Sequence, residues 1–157
     1  MSNWLSRIVV AAILLPIVLG AVYVGGWYLF ALIAIAAAIA LHEYWLLGRA
    51  LSPLAPAGYI GGALALVGAQ VDGVGWMLGG VLTTFALAFL LKAISEARAA
   101  ATAAISSTVT GALWICGGLG FVILLRHLPT HGRLALYTVL LAVWAGLRAT
   151  AAPAAPR

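Results

Sequence analysis

Acidic side chains are scarce in this sequence: only Glu43, Asp72 and Glu96 occur among its 157 residues. Carboxylates serve enzymes as bases, nucleophiles and metal ligands, so this scarcity argues against a complete active site built from the chain's own residues. Charge of either sign is also rare, at 7% of residues, whereas roughly a quarter of residues in soluble domains are charged. A water-facing surface cannot be built from so few charges.

Cysteine is nearly absent too. Cys116 is the only one, so no internal disulfide can form, and its place inside an apolar run is typical of a small buried hydrophobic residue. The eight basic residues give a net charge of +5, but they are scattered singly between apolar runs. Because no basic stripe with interleaved aromatic residues exists, we predict no nucleic-acid partner.

What the chain has in abundance is apolar sequence: 66% of its residues are hydrophobic and its mean hydropathy is +1.18. We therefore predict an all-α, polytopic transmembrane helix bundle of about six spanning helices in residues 1–145, followed by a disordered low-complexity Ala/Pro/Arg tail in residues 146–157. Arg7 before the first run would also suit a signal peptide, but further spanning runs follow at once. The predicted apolar runs cover residues 8–24, 27–47, 57–71, 74–91, 109–125 and 134–145.

Several local patterns refine this prediction. Trp27–Tyr28 and Tyr44–Trp45 lie about 25 Å apart along one helix, a spacing typical of two interfacial aromatic belts. Gly58–Gly62 and Gly75–Gly79 each place two glycines four residues apart, which predicts a tight hairpin of the third and fourth helices. Ser106–Thr108 are expected to cap the start of the fifth helix.

The basic residues predict an orientation through the positive-inside rule. An alternating six-pass layout with Arg7 in the cytoplasm also places Arg49, Lys92 and Arg98 there, and it places Asp72 outside. Two further arginines, at positions 126 and 133, fall outside and weaken the bias. If the short third run were re-entrant, everything after it would be inverted.

The candidate site residues are Glu43, Arg49, Lys92 and Arg98, which we interpret as interfacial structural or substrate-facing polar groups. Glu43 is the most suggestive of them. A structural role, in which Glu43 pairs with Arg49 or Lys92 or forms a hydrogen bond to a neighbouring helix, is favoured over catalysis because nothing in the chain offers Glu43 a catalytic partner. We assign no catalytic, cofactor-binding or metal-binding residue.

Other motifs give weaker signals. His127 and His131 have an i, i+4 spacing that suits a metal on a helix, but Leu128–Pro129 between them indicates a loop, and no further ligand is close in sequence. Phosphate-binding glycine loops, a nucleophile elbow and a His-Glu-x-x-His helix are all absent from the sequence.

The order of several segments is nevertheless informative. Arg7-Ile8 leading to Leu14-Leu15-Pro16, then Gly25-Gly26-Trp27, then Glu43-Tyr44-Trp45-Leu46-Leu47, and finally Leu140 to Ala145 resemble the N-terminal part of bacterial phosphatidate cytidylyltransferases, the CDP-diacylglycerol synthases. The resemblance covers about residues 7–145. It implies condensation of CTP with phosphatidic acid to CDP-diacylglycerol and pyrophosphate, with Mg²⁺, by a multi-pass homodimer of the bacterial inner membrane.

The chain departs from that family after Ala145. Where the family continues with Asp-, Lys- and His-containing segments, this sequence has its Ala/Pro/Arg tail, so no family catalytic residue can be carried over. We therefore expect a truncated or frameshifted member that is inactive alone, which the coding DNA downstream of Trp144 would test. A non-catalytic small membrane subunit, packing on a partner through glycine-rich helix faces, is the alternative. Half of a transporter is a third reading, but no intramembrane charge pair supports it.

Overall fold

Helices account for nearly all of the described chain, as predicted. A computed structural model describes residues 3–95 and 101–151, with side chains for residues 14–95 and 101–146. Within these residues there is no strand. A 3₁₀ turn, Arg49–Leu51, follows the second helix, and the fifth contains a π-helical stretch, Ala112–Gly117. The helices are α1 (Asn3–Val24), α2 (Gly26–Leu47), α3 (Ala55–Val71), α4 (Val74–Ile94), α5 (Ala101–Arg126) and α6 (Gly132–Ala151).

Two of the helix breaks confirm the sequence prediction. Between α1 and α2, Gly25 and Gly26 have φ angles of 70° and 57°, and between α3 and α4, Gly73 has a φ of 89°. Residues with a Cβ rarely adopt this left-handed region, whereas glycine enters it without steric cost. The chain can therefore reverse within one or two residues at both places.

The helix pair with the most extensive contact is α3 with α4, so the predicted hairpin is confirmed. The glycines that allow the close approach are not the predicted pairs, however. A Cβ on Gly61 would overlap Thr84, and one on Gly80 would overlap the Ala65 backbone. By contrast, a Cβ on Gly75 or Gly79 would meet no atom within 4 Å. The prediction that Gly75–Gly79 forms the hairpin contact is therefore wrong, because no atom of α3 packs against either glycine.

One stripe of α2 supplies much of the core. Leu29, Ile33, Ala37, Leu41 and Trp45 recur every four residues and are all buried. This spacing keeps side chains on one helix face, so the stripe stays against the other helices along most of α2. Because Trp45 is buried inside the bundle, the prediction that it belongs to an interfacial aromatic belt is wrong.

The bundle presents an apolar exterior. Three helices, α2, α4 and α5, are long and apolar enough to cross a membrane; the shorter α3 and the parts of α1 and α6 with described side chains, Leu14–Val24 and Gly132–Gly146, are apolar too. Large hydrophobic side chains are exposed on these helices; Trp114, for example, is 82% exposed. Such a surface suits lipid rather than water, which makes the chain a membrane protein. Six spans remains a prediction, because α3 is short and the side chains of α1 and α6 are described only for Leu14–Val24 and Gly132–Gly146.

The bundle has two ends, which we name after one residue each. The Arg49 end holds the loop 48–54, the C terminus of α4 and the N terminus of α5, and the Asp72 end holds the turns after α1 and α3 and the loop 127–131. Helix α3 runs from one end to the other, with eight buried residues along it. A re-entrant third helix is not what the structure shows.

Some boundaries differ from the predicted ones. Helix α5 begins at Ala101, so Ser106–Thr108 lie inside it and the expected N-terminal cap is wrong; the alanines at 101, 103 and 104 favour an earlier start. Helix α6 continues to Ala151, past the boundary predicted at 145, because alanine, leucine and arginine are good helix formers. Glu96, Arg98 and residues 152–157 lie outside the described residues.

Candidate functional site at the Arg49 end

A buried hydroxyl fixes the loop at the Arg49 end. The amide of Leu54, the residue before α3, donates a hydrogen bond to Thr108 Oγ1 at 2.8 Å, and Thr108 Oγ1 donates to the Ala104 carbonyl at 2.7 Å. Thr108 is fully buried, so these bonds form away from water. Thr108 is thus a link between α5 and the loop that carries Arg49. Its role was not predicted, since it depends on a partner 54 residues away.

Trp45 forms an aromatic cluster beneath this loop. Its ring packs where Gly58 and Gly111 leave room, and it makes edge-to-face contacts with Tyr44 at 5.2 Å and Tyr59 at 6.3 Å between ring centroids. Edge-to-face pairs at these distances stabilise a core beyond the area that they bury. The cluster packs the end of α2 against α3 and α5.

The Tyr59 hydroxyl continues the cluster toward solvent. It lies 3.4 Å from Nδ1 of His42, an exposed residue one turn before the end of α2. Two buried polar atoms nearby, Trp45 Nε1 and Ser107 Oγ, have no hydrogen-bond partner in the part of the chain that the structure describes. A buried polar group without a partner costs free energy.

The predicted site residues lie at this same end. Glu43 and Arg49 are exposed, and Lys92, near the end of α4, is partly exposed. Glu43 follows the buried Leu41 by two positions, which places it on the outward face of α2. Within the described ranges no ion pair of 4 Å or less joins Glu43 to Arg49 or Lys92, so the expected pairing is not present. Arg98 lies outside the described residues.

A magnesium site does not fit the residues at hand. Mg²⁺ prefers carboxylate oxygens, and the described carboxylates, Glu43 and Asp72, lie at opposite ends of the bundle, separated by the length of α3, about 25 Å. No group of three or more His, Cys, Asp or Glu side chains that could hold a metal was found among the described residues. His127 and His131 are exposed at the Asp72 end, in the loop that the sequence predicts.

Arg126 has a structural role that sequence reasoning missed. Its Nε donates to the Val22 carbonyl at 3.0 Å and its Nη2 to the Tyr23 carbonyl at 3.4 Å, at the C terminus of α1. The last carbonyls of a helix lack intrahelical partners and carry partial negative charge, so a guanidinium is well suited to cap them. A Cβ on Gly25 would approach Arg126 Nη2 to 2.6 Å, which gives that glycine a second requirement.

Arg133 also contacts α1 at the Asp72 end. Its guanidinium carbon lies 5.1 Å from the centre of the Tyr23 ring, within the range of a cation–π contact. The two arginines that weaken the positive-inside bias therefore both contact the end of α1. Packing against α1 therefore explains the positions of Arg126 and Arg133, which the positive-inside rule does not.

The Arg49 end thus places the basic residues Arg49 and Lys92 at the edge of an apolar bundle, beside the aromatic cluster around Trp45. Its basic groups can position an anionic group, and Tyr59 beside His42 is the hydroxyl–imidazole pair that the structure describes there. The fold and this site define a polytopic all-α membrane protein with a basic rim.

The comparison with protein families narrows that class. The family model described as "Cytidylyltransferase family" matches residues 5–146, which is most of the chain. The chain belongs to the cytidylyltransferase family. No curated protein and no solved structure matches it significantly.

Proposed function

We propose that this chain is the membrane-embedded region of a phosphatidate cytidylyltransferase, which makes CDP-diacylglycerol and pyrophosphate from CTP and phosphatidic acid. The match of the cytidylyltransferase family model to residues 5–146 is the observation that carries the proposal. The Glu43-Tyr44-Trp45 segment at the Arg49 end, on which the resemblance also depends, supports the narrower assignment.

The chemistry is a nucleotidyl transfer. A phosphate oxygen of phosphatidic acid bonds to the α-phosphorus of CTP, and the bond from that phosphorus to the bridging oxygen of pyrophosphate breaks. Both reactants are highly anionic, so basic groups near the membrane surface help to hold them. Arg49 and Lys92 are the described basic side chains at the end that we place in the cytoplasm, where CTP is available.

The described residues include two carboxylates, Glu43 and Asp72, and these lie too far apart to share one metal ion. We therefore propose that the chain scaffolds the reaction and is inactive as an isolated polypeptide. Mg²⁺, which the family resemblance implies, would then be bound by residues other than those described here. The location that the resemblance suggests is the bacterial inner membrane.

A chimera tests the proposal. Residues 1–145 would replace the matching region of an active family member, in membranes depleted of their own enzyme, and CDP-diacylglycerol would be measured after adding CTP, phosphatidic acid and Mg²⁺. We expect product from the chimera and none from the isolated chain. Product from the isolated chain would show that it has its own catalytic groups. An inactive chimera that inserts and folds would favour the alternative, a non-catalytic membrane subunit.

The same chimera distinguishes the two ends of the bundle. Arg49→Gln should lower kcat/KM about tenfold, the size expected for a lost charge-assisted contact with phosphate. The matched control is Arg133→Gln, which removes the same charge at the Asp72 end and should leave kcat/KM unchanged. Equal losses in both variants would contradict a substrate-facing role for Arg49.

A further inference from the structure

The loop 48–54 at the Arg49 end is held in a strained conformation. Among the described residues other than glycine, Ser52 is the only one with a positive φ, and its φ of 49° and ψ of 55° are left-handed. Side chains with a Cβ rarely adopt this region, and the residue before a proline, here Pro53, favours extended backbone. Such strain is often found in segments that switch between conformations.

The loop is anchored at its two ends. Its first amide, at Gly48, donates to the Tyr44 carbonyl at 2.9 Å, and its last, at Leu54, donates to Thr108 Oγ1 at 2.8 Å. Between these anchors, the hydrogen bonds that the structure describes are the two of the 3₁₀ turn itself, at 2.9 and 3.0 Å. Residues 49–52 are exposed, so the middle of the loop can move while its ends stay fixed.

A buried hydroxyl without a partner faces the loop from α5. Ser107 Oγ has no hydrogen-bond partner among the described residues. It lies 3.6 Å from the place that a Cβ on Gly48 would take, so no side chain separates the hydroxyl from the loop backbone there. The next amide along the loop, that of Arg49, is not used by either bond of the turn.

We propose that the loop 48–54 is a strap with two positions. In the first, seen in this structure, Ser52 is left-handed and Arg49 is exposed. In the second, the turn opens, Ser52 becomes extended, and the Arg49 amide donates to Ser107 Oγ, which draws Arg49 toward α5. The strap thereby sets how Arg49 is presented at this end of the bundle.

The two positions are close in free energy because their costs differ in kind. The first has a strained residue and an unsatisfied buried hydroxyl, whereas the second gives up the exposed hydrogen bonds of the turn, whose groups water can solvate. The second position is the less populated one. The proposal rests on the geometry of the loop and holds whether or not the reaction proposed above is correct.

Pulsed electron paramagnetic resonance detects both positions in the full chain. In a Cys116→Ala background, spin labels would be attached to cysteines that replace Ala50 in the loop and Phe121, an exposed residue of α5 about 21 Å from Ser107 along the helix. The protein would be reconstituted in phosphatidylcholine vesicles and frozen. We expect a main distance between the labels and a minor second one. A single distance, the same in the parent and in every variant below, would overturn the proposal.

Variants assign the minor distance to the second position. Ser107→Ala should lower its share about fivefold, the factor expected for one lost hydrogen bond. Ser106→Ala is the matched control, because that exposed hydroxyl bonds only within its own helix, to the Ala103 carbonyl, and it should change nothing.

Substitutions of Ser52 should shift the share in opposite directions. Ser52→Gly should lower it, because glycine adopts the left-handed conformation without steric cost, and Ser52→Val should raise it, because a β-branched residue is disfavoured there. Melting temperatures would identify any variant that fails to fold. Two distances whose proportions neither the Ser107 nor the Ser52 variants change would contradict the strap.

Discussion

At the residue scale, Ser107 and Thr108 are neighbours on α5 with opposite consequences. Thr108 Oγ1 accepts the Leu54 amide and donates to Ala104, whereas Ser107 Oγ, also buried, has no partner among the described residues. A satisfied buried hydroxyl stabilises the fold, but an unsatisfied one has been desolvated without compensation. The Thr108 hydroxyl therefore raises the free energy of unfolding, and the Ser107 hydroxyl lowers it.

Removing each hydroxyl gives a direct test. Thr108→Val should lower the free energy of unfolding by about 1–3 kcal/mol, because it leaves the Leu54 amide unpaired. Ser107→Ala should leave stability unchanged or raise it slightly. Thermal unfolding of the purified protein in one detergent would compare them. A larger loss for Ser107→Ala than for Thr108→Val would contradict this assignment of hydrogen bonds.

At the element scale, the α3–α4 hairpin depends on which face of α4 a glycine occupies. Gly80 lies against the Ala65 backbone, and its neighbour Gly79 faces open space. We expect Gly80→Ala to lower the free energy of unfolding by about 2–3 kcal/mol, since the two helices must move apart. Gly79→Ala, the matched control, should stabilise the helix by up to about 1 kcal/mol. Chemical denaturation of both variants checks this, and equal effects would contradict the packing.

The same hairpin shows how far sequence reasoning reaches. The turns at Gly25-Gly26 and Asp72-Gly73 were predictable, because their chemistry is local. The packing glycines were not, because a four-residue spacing marks a helix face without saying what lies against it. Arg126 was missed for a related reason: its partners, Val22 and Tyr23, are more than 100 residues away in sequence.

The site was predictable in part. Arg49 and Lys92 were predicted to share one side of the membrane from their positions between apolar runs, and both lie at the Arg49 end; their substrate-facing role stays a prediction. The pairing of Glu43 was not predictable, because the side to which a helical residue points depends on which stripe of the helix is buried. Once Leu41 and Trp45 are buried, Glu43 must face outward.

At the scale of the whole molecule, the predicted six crossings require helices of unequal length to span the same bilayer. Helix α3 has only 17 residues, about 25 Å; eight of them are buried against neighbouring helices, and Ile60, Leu64, Val67 and Val71 are exposed. A spanning helix slightly shorter than the hydrocarbon core is accommodated by local thinning of the bilayer, at a modest cost in free energy. We therefore predict that α3 crosses the membrane, with the Arg49 end in the cytoplasm and the Asp72 end outside.

Cysteine accessibility tests that central claim most directly. In a Cys116→Ala background, single cysteines would replace Ala50, Asp72 and His131, and intact cells would be treated with a membrane-impermeant maleimide. We predict labelling at positions 72 and 131 in intact cells, and at position 50 only after permeabilisation. Labelling at position 50 in intact cells, or protection of position 72, would contradict six alternating crossings with a cytoplasmic Arg49 end.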